Sequence, residues 1–255
     1  MTDSPPKITA DIRDEATALA AAVLSEGLSA RLLGGLAIWL TSPSVRSGPF
    51  ARSYNDLDFA VSKASSQPFR AVLEARGYLP DKFFNGLHGA TRLYYQAPAG
   101  QWSVDIVIDE LSMSHRLDLR RQLDGPGPTI SLADLLLTKL QVWEINRKDL
   151  GDTLCLLADH DLAETSSKGE DVSLTRVTDV LSTDWGFCHT VERNLVKLIE
   201  LWSAEPFVAA AHDVAAQVHT IQAAIEAVPK SRSWRLRSRI GERVKWYETP
   251  EEVRH

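Results

Sequence analysis

The chain has 255 residues, of which 44% are hydrophobic and 24% charged, and its net charge at pH 7 is −6. This composition is typical of an ordinary globular protein and excludes fibrous and intrinsically disordered classes. The length allows one large domain or two smaller ones, each able to bury a core. The acidic balance argues against an extended nucleic-acid-binding surface, although a local basic patch remains compatible with it.

The two cysteines and the termini bear on the cellular compartment. Cys155 and Cys188 lie in apolar helical stretches without metal-ligand spacing, which predicts reduced, buried thiols. The first residues have neither a basic start nor an apolar core, and no apolar run approaches the ~20 residues that span a bilayer. These features predict a cytoplasmic protein with no membrane partner.

The first elements are predicted to be a helix, a strand and a second helix. Residues 10–26 repeat alanine and leucine at helical spacing, with Gly27 placed to end that helix. A strand over residues 29–33 and a helix over residues 36–42 follow. Gly34 and Gly35 separate these two elements, and glycines before a helix let the backbone N–H groups approach a phosphate closely.

A loop is predicted over residues 41–54 because it contains two prolines and a glycine. It also carries Arg46 and Arg52, immediately before a pair of aspartates. Basic side chains in this position either balance the aspartates or contact a triphosphate, and Arg52 is the better candidate for phosphate contact.

Asp56 and Asp58 lead into a short apolar strand, Phe59 to Val61. Strand side chains alternate, so both carboxylates point to the same face, roughly 7 Å apart. Two like charges there are costly without a partner, and carboxylate oxygens are ligands for Mg²⁺. The alternative is a pair of solvated aspartates at the end of a strand.

A third carboxylate is predicted on a second apolar strand. A helix over residues 65–77 comes first, and then residues 78–93, which are either a loop beside a substrate site or a packed turn. Strands over residues 92–95 and 101–108 follow as a hairpin. Asp105 is the third candidate metal ligand and Asp109 the runner-up. Three strand-borne carboxylates and a glycine turn are the parts of a two-metal phosphoryl-transfer site.

Lys139 lies on a helix that begins at Ser131, after a Gly-Pro-Gly-Pro break at residues 125–128. Its position four residues after Leu135 and four before Trp143 puts its stem at the edge of an apolar stripe. The lysine either reaches a nucleotide phosphate or extends along the surface into solvent.

Gly34-Gly35, the Asp56-Leu57-Asp58 pair and Asp105 resemble the nucleotidyltransferase superfamily, which has the polymerase-beta-like fold. The stretch from Lys139 to Arg147-Lys148-Asp149-Leu150-Gly151-Asp152 is similar to a segment of the AbiEii toxin-like branch, and the glycine turn is similar to that of antibiotic nucleotidyltransferases. The resemblance covers about residues 30–160. It implies that an acid at Asp149 shapes the nucleotide or acceptor site. Two departures are Gly35, where serine is usual, and the long insertion over residues 41–52.

The C-terminal part is predicted to be helical throughout, after a polar, turn-rich boundary at residues 165–171. The predicted domains are therefore an α/β domain over residues 1–164 and a helical domain over residues 171–255. A last helix over residues 231–246 is rich in arginine and flanked by tryptophans, a composition that suits RNA, although a run of charges is usually a solvated face. The arginines concerned are Arg232, Arg235, Arg237, Arg239 and Arg243.

The sequence therefore predicts an α/β fold with a small mixed sheet, flanking helices and a C-terminal helical bundle. The predicted function is metal-dependent transfer of a nucleoside monophosphate from an NTP to an acceptor hydroxyl, with RNA as acceptor and an antitoxin as a possible protein partner. Alternatives are a small-molecule transferase, with Asp109, Glu110 and Asp152 lining an acidic cleft, and a non-catalytic binding module. The predicted metal is Mg²⁺ or Mn²⁺. The predicted ligands are Asp56, Asp58 and Asp105, Lys139 is the fourth catalytic residue, and Gly34, Gly35, Arg52, Lys139 and Asp149 bind the nucleotide.

Overall fold

A computed structural model describes residues 8–166, 169–205 and 210–249. Helices and strands alternate up to residue 96, further strands follow up to residue 118, and helices dominate after it. In chain order the elements are α1 (Ile12–Ser25), β1 (Ala30–Leu33), α2 (Gly34–Thr41), β2 (Asp56–Val61), α3 (Ser66–Ala75), β3 (Leu79–Pro80), α4 (Lys82–His88), β4 (Arg92–Gln96), β5 (Ser103–Ile108), β6 (Glu110–Ser112), β7 (Arg116–Asp118), α5 (Leu132–Leu140), α6 (Arg147–Asp159), β8 (Leu162–Ala163), β9 (Val172–Ser173), α7 (Leu174–Leu181), α8 (Trp185–Ala204), α9 (Val214–Ala227) and α10 (Arg232–Ile240).

The chain divides into two compact units that interleave along the sequence. The first unit takes in the chain up to Leu40, then Ser53–Leu111 and Asp118–Ile130. The second takes in Thr41–Arg52, Ser112–Leu117 and the chain from Ser131 onward. The boundary predicted at residues 165–171 therefore falls inside the second unit, because α5 and α6 pack with the later helices rather than with the sheet.

A five-stranded mixed sheet forms the centre of the first unit, in the order β1-β2-β5-β4-β3. β2 and β5 are parallel, whereas the pairs β1–β2, β5–β4 and β4–β3 are antiparallel. The predicted α/β class with a small mixed sheet is confirmed.

The two faces of this sheet differ in polarity, since side chains alternate along each strand. One row across the sheet, Leu32, Phe59, Ile106 and Leu93, is fully buried and belongs to the apolar face. The next row, on the opposite face, consists of Leu33, Asp58, Asp105 and Tyr94. The fold therefore places acidic side chains on the face that does not carry the apolar row.

Helix ends follow the predicted capping chemistry. The Asp11 carboxylate accepts a hydrogen bond from the Arg13 N–H at the start of α1, and Gly27 takes φ +65° after its end. The Ser131 hydroxyl accepts the Asp134 N–H at the start of α5, at 3.1 Å. These caps fix α1 and α5 close to their predicted bounds.

Helices fill most of the second unit. α6 is buried along nearly its whole length, from Gly151 to Ala158, and α8 buries Phe187, Leu195 and Leu198 among other side chains. Among the described residues no helix is both long and apolar enough to cross a membrane.

Four predicted elements are wrong in detail. Residues 82–88 form α4 rather than a loop, because the Asp81 carboxylate caps the Phe84 N–H. The last helix ends at Ile240 and not at Trp246, because Gly241 takes φ +60° and breaks it. The C-terminal part is not entirely helical, since β9 pairs with β8 in a short parallel ladder. The predicted helix over residues 206–228 is α9 from Val214 onward, and residues 206–209 lie outside the described chain.

Candidate metal and nucleotide site

Asp56, Asp58 and Asp105 share one face of the sheet, which we call the carboxylate face. Both Asp56 and Asp58 belong to β2 itself, and in the parallel ladder Asp58 is paired in register with Asp105 of β5. Neighbouring strands lie about 4.8 Å apart, so these two aspartates start from adjacent backbone positions. Asp56 is exposed, and Asp58 and Asp105 are half-buried.

Gly34 lies directly against Asp58. Its φ is +72°, a conformation that suits glycine, and a Cβ built there would lie 2.0 Å from Oδ2 of Asp58. Gly34 and Gly35 begin α2, where the first N–H groups have no partner within the helix. The predicted glycine turn therefore exists and contacts one of the predicted metal ligands.

Arg92 of β4 holds the Asp105 carboxylate. Its Nε donates to Oδ1 of Asp105 at 2.8 Å, and its second guanidinium nitrogen donates to Oδ2. The hydrogen bond with Asp105 is the main reason that the pKa of Arg92 is raised, and the charge of Asp58 adds to it although burial acts in the opposite direction. The guanidinium of Arg92 therefore neutralises the Asp105 carboxylate in this structure.

Helix α4 supports Arg92 from one side. The Phe84 ring lies 5.9 Å from the Arg92 guanidinium carbon and 6.1 Å from the Tyr94 ring. The Asn85 amide bonds both the N–H and the carbonyl of Tyr94, at 2.7 and 3.1 Å. Residues 82–88, whose conformation was open in the sequence, therefore form a helix fastened to the strand that presents Arg92.

The three aspartates fit Mg²⁺ or Mn²⁺ in chemistry, since all offer oxygen atoms from one face of neighbouring strands. Their present arrangement is not that of a closed metal site. Within the described chain no group of three or more His, Cys, Asp or Glu side chains is gathered as a metal ion requires. Because Arg92 bonds both oxygen atoms of Asp105, a metal ion at this carboxylate would compete with the guanidinium.

Asp109, the runner-up, has a different environment. It lies one residue beyond the end of β5 and takes φ +65°, and its carboxylate accepts the Lys63 N–H at 2.9 Å. It therefore acts as a turn residue at the strand end, four positions from Asp105.

Lys139 belongs to a buried set of charges in the second unit, which we call the ion-pair network: Arg52, Lys139, Asp149 and Asp152. Its ammonium group lies 2.7 Å from Oδ1 of Asp149 and 2.9 Å from Oδ2 of Asp152. Burial alone would lower the pKa of Lys139, but the two carboxylates outweigh it and raise the pKa. This geometry favours a structural role that ties α5 to α6, and the predicted role on a nucleotide phosphate stays a prediction.

Arg52 completes the same network. Its guanidinium donates to Oδ2 of Asp152 at 2.8 Å, and the Asp152 side chain is only 1% exposed. Asp149 is also bonded by the amide of Asn146 at 2.9 Å. Arg52 therefore balances the charge of Asp152 on α6, and its predicted contact with a phosphate stays a prediction.

The long insertion over residues 41–52 lies along α6. The Ser44 N–H donates to Asp159 at 2.8 Å. Gly151 has no room for a Cβ, which would lie 2.5 Å from the Phe50 ring. Together with the ion pair between Arg52 and Asp152, these contacts join the insertion to α6 at three places.

The C-terminal arginines divide into two groups. Arg237 donates to the carbonyls of Gly241 and Val244, both at 2.7 Å, and its guanidinium lies 4.8 Å from the Trp185 ring centre. It therefore fastens the turn after α10. The other four arginines that were predicted to contact RNA have exposed side chains: Arg232, Arg235, Arg239 and Arg243.

The sequence did not predict the roles of two residues, Arg92 in the carboxylate face and Asp152 in the ion-pair network. Arg92 was placed where the stretch over residues 78–93 meets the strand over residues 92–95, and no partner was assigned to it. Its position two residues before Tyr94 nevertheless puts it on the same face as Asp105. Asp152 was considered only for an acidic cleft, whereas it is the carboxylate shared by Arg52 and Lys139. The signal for Asp152 was present, since a charge within an apolar helix needs a buried partner.

Comparisons with known proteins give a distant likeness. No family model matches the chain, and no curated protein matches it. One solved structure that matches is an antigenic nucleotidyltransferase-like protein from Paracoccidioides brasiliensis, with 13% sequence identity and a TM-score of 0.41. The match covers 89% of this chain and 97% of that one. A likeness this distant carries no argument, so the functional proposal rests on the residues of the chain itself.

Proposed function

We propose that this protein is a metal-dependent nucleotidyltransferase that moves a nucleoside monophosphate from an NTP to an acceptor hydroxyl and releases pyrophosphate. The observation that carries the proposal is the pairing of Asp58 with Asp105 across parallel strands, with Asp56 on the same face. Acidic side chains are disfavoured in strands, so three on one face need a reason beyond folding. A cation and a triphosphate supply that reason.

The glycine turn supports the same proposal. Gly34 excludes a Cβ next to Asp58, which keeps that carboxylate close to the backbone at the start of α2. A triphosphate that meets these N–H groups would lie beside the carboxylates, and helix N-termini favour anions.

Asp56, Asp58 and Asp105 would hold Mg²⁺ or Mn²⁺, which supplies Lewis-acid stabilisation of charge on the transferring phosphoryl group. The chain's own contribution is to position the acceptor hydroxyl and to take its proton, a role that Asp105 can fill once Arg92 has released it. Arg92, freed from Asp105, is then a cation available to the phosphates.

Arg52, Lys139 and Asp149 enter the proposal as supporting residues. Lys139 already contacts the carboxylates of Asp149 and Asp152. To contact a phosphate, its ammonium group would have to give up one of these two ion pairs. Holding α6 in place is the contribution that their contacts favour.

A second candidate is a non-catalytic binding module that has kept the fold. Two observations favour it: Arg92 occupies the Asp105 carboxylate, and Gly35 stands where the resembling enzymes usually have serine. Such a module would bind neither metal nor NTP through the carboxylate face.

The test is incubation with each α-labelled NTP, Mg²⁺ or Mn²⁺, and either total RNA or a small-molecule extract. RNA is the acceptor predicted from the sequence, and the two acceptor pools separate it from the small-molecule alternative. We expect a labelled product that disappears in Asp58→Asn. Asp118→Asn is the matched control, since Asp118 is an exposed carboxylate of the first unit, paired with Arg120.

Labelling that survives in Asp58→Asn would contradict the proposal. Absence of labelling with every NTP, together with no Mn²⁺ binding by calorimetry, would favour the binding module.

A further inference from the structure

The outward face of α10 combines exposed arginines with exposed aliphatic side chains. We call it the basic helix face: Arg232, Arg235, Arg239, Leu236 and Ile240. Leu236 is 62% and Ile240 45% exposed. Their spacing of three and four residues places them beside the arginines on one side of the helix. Val244, 57% exposed, follows after the helix ends.

The opposite side of α10 is firmly mounted on the second unit. The Ser231 N–H donates to the Ser182 carbonyl at 2.9 Å, and the Ser231 hydroxyl caps the Trp234 N–H at 3.1 Å. Arg237 packs over Trp185 of α8. The basic helix face is therefore presented on a supported helix.

The arginines of this face, Arg232, Arg235 and Arg239, are exposed. Within the part of the chain that the structure describes, none of them forms an ion pair with a carboxylate. Residues 230–245 contain seven basic side chains and one acidic one, Glu242, in a protein whose net charge is −6. Glu242 is bonded to His189 at 2.8 Å. The net negative charge of the protein would repel an acidic partner, whereas the basic helix face would attract it.

The aliphatic side chains decide which acidic partner fits. Single-stranded nucleic acid binds through phosphates on cations and bases on aromatic rings, and Leu236 and Ile240 offer neither. A protein helix with acidic side chains beside an apolar stripe matches both components at once.

We propose that the basic helix face is a docking surface for an acidic amphipathic helix of another protein. Aliphatic contacts with Leu236 and Ile240 provide the affinity, and the arginines provide orientation and exclude basic partners. The surface is independent of the carboxylate face and of any nucleotidyl transfer.

The probe is a fluorescent synthetic peptide of about 18 residues, long enough for five helical turns, with leucines at helical spacing flanked by glutamates. Its control replaces the leucines by serines and keeps the charge. Anisotropy titrations should show the leucine peptide binding about tenfold or more tightly than the serine peptide, a difference of one decade in Kd. That preference should vanish in the double variant Leu236→Ser with Ile240→Ser. The triple change of Arg232, Arg235 and Arg239 to Gln should weaken both peptides.

Two further arms make the result decisive. A single-stranded RNA oligonucleotide should compete less well than the leucine peptide at equal charge, and sedimentation of the protein alone should show a monomer. Equal binding of the two peptides, stronger competition by RNA, or self-association removed by the Leu236→Ser change would overturn the proposal. Val196→Ser on α8, at another exposed aliphatic position, is the control and should leave peptide binding unchanged.

Discussion

The carboxylate face and the ion-pair network are built from the same kinds of side chain, yet they differ in burial and in charge balance. The ion-pair network sets two carboxylates against two cations, and its central Asp152 is 1% exposed. The carboxylate face sets three carboxylates against Arg92, and that pair is 38% and 20% exposed. A balanced, buried group suits the holding of helices together, whereas an accessible face with excess negative charge suits a cation.

The sharpest way to break this comparison is to neutralise Asp105. We expect Asp105→Asn to lower nucleotidyl transfer by about 10³-fold, which corresponds to ~4 kcal/mol of transition-state stabilisation. The free energy of unfolding should change little, because Asp105 is half-buried. Radiolabel transfer and urea unfolding measure the two effects, with Asp118→Asn as the control. A large loss of stability with unchanged transfer would place Asp105 with the structural residues instead.

For Asp152, in contrast to Asp105, we expect a large loss of stability. Asp152→Ala leaves the buried Lys139 and the Arg52 guanidinium without their shared partner, so unfolding should become easier by about 3–5 kcal/mol. Urea unfolding followed by tryptophan fluorescence measures it. Asp149→Ala is the matched comparison, and its free-energy cost should be smaller, because Asp149 is more exposed and because Asp152 is the carboxylate that pairs with both Lys139 and Arg52. Equal costs for the two variants would contradict the central place of Asp152.

The sequence predicted the carboxylate face better than the ion-pair network. The alternation of β2 places Asp56 and Asp58 on one face. The same period on β5 places both Asp105 and Asp109 on one face, and Asp105 was preferred because Asp109 lies further along the chain. Those are local rules, and the register of β2 with β5 agrees with them. The ion pair of Arg52 with Asp152 could not be read in this way, because the two residues lie 100 positions apart in sequence. The helix α4 was missed because its seven residues, which include two phenylalanines and one glycine, have no clear helical period.

The pH dependence of stability sharpens the comparison, since the second unit contains a buried histidine. Burial lowers the pKa of His115 to about 4, although the charge of Asp184 acts in the opposite direction. Its ring bonds the Thr190 hydroxyl at 2.8 Å and stacks on Phe187. Below the unfolded pKa of about 6.5, the unfolded chain takes up a proton that the native protein does not, so stability falls as the pH is lowered from there to about 4.

Between pH 6.5 and about 4, we expect His115 to reduce the free energy of unfolding by about 2–3 kcal/mol. Urea unfolding at several pH values should show a shallower decline in His115→Gln than in the unmodified protein. The difference between the two curves removes the contribution of the carboxylates, which titrate in both. Parallel curves would mean that His115 does not control acid stability.

Gly34 tests whether the backbone turn supports the carboxylate face. Gly34→Ala combines a left-handed conformation with a Cβ that collides with Asp58, and we expect it to cost about 1–3 kcal/mol. Gly27→Ala is the matched control, because Gly27 is also left-handed at φ +65° but has no atom within 4 Å of the added Cβ. The excess cost at Gly34, and weaker Mn²⁺ binding in that variant alone, would measure the contact with Asp58. Identical effects at the two glycines would reduce Gly34 to an ordinary turn residue.

The smallest change in stability is expected from Arg92, and it is the most informative about the metal. Its ion pair with Asp105 is half-exposed, so Arg92→Gln should alter the free energy of unfolding by no more than about 1 kcal/mol. Because Arg92 and a cation compete for the same two oxygens, the variant should bind Mn²⁺ alone about tenfold more tightly in calorimetry, a gain of one decade in Kd. Arg120→Gln, which breaks an exposed pair with Asp118, controls for the loss of a positive charge in the same unit. If Mn²⁺ binding is unchanged in Arg92→Gln, Asp105 is not a metal ligand, and the carboxylate face loses the property that separates it from the ion-pair network.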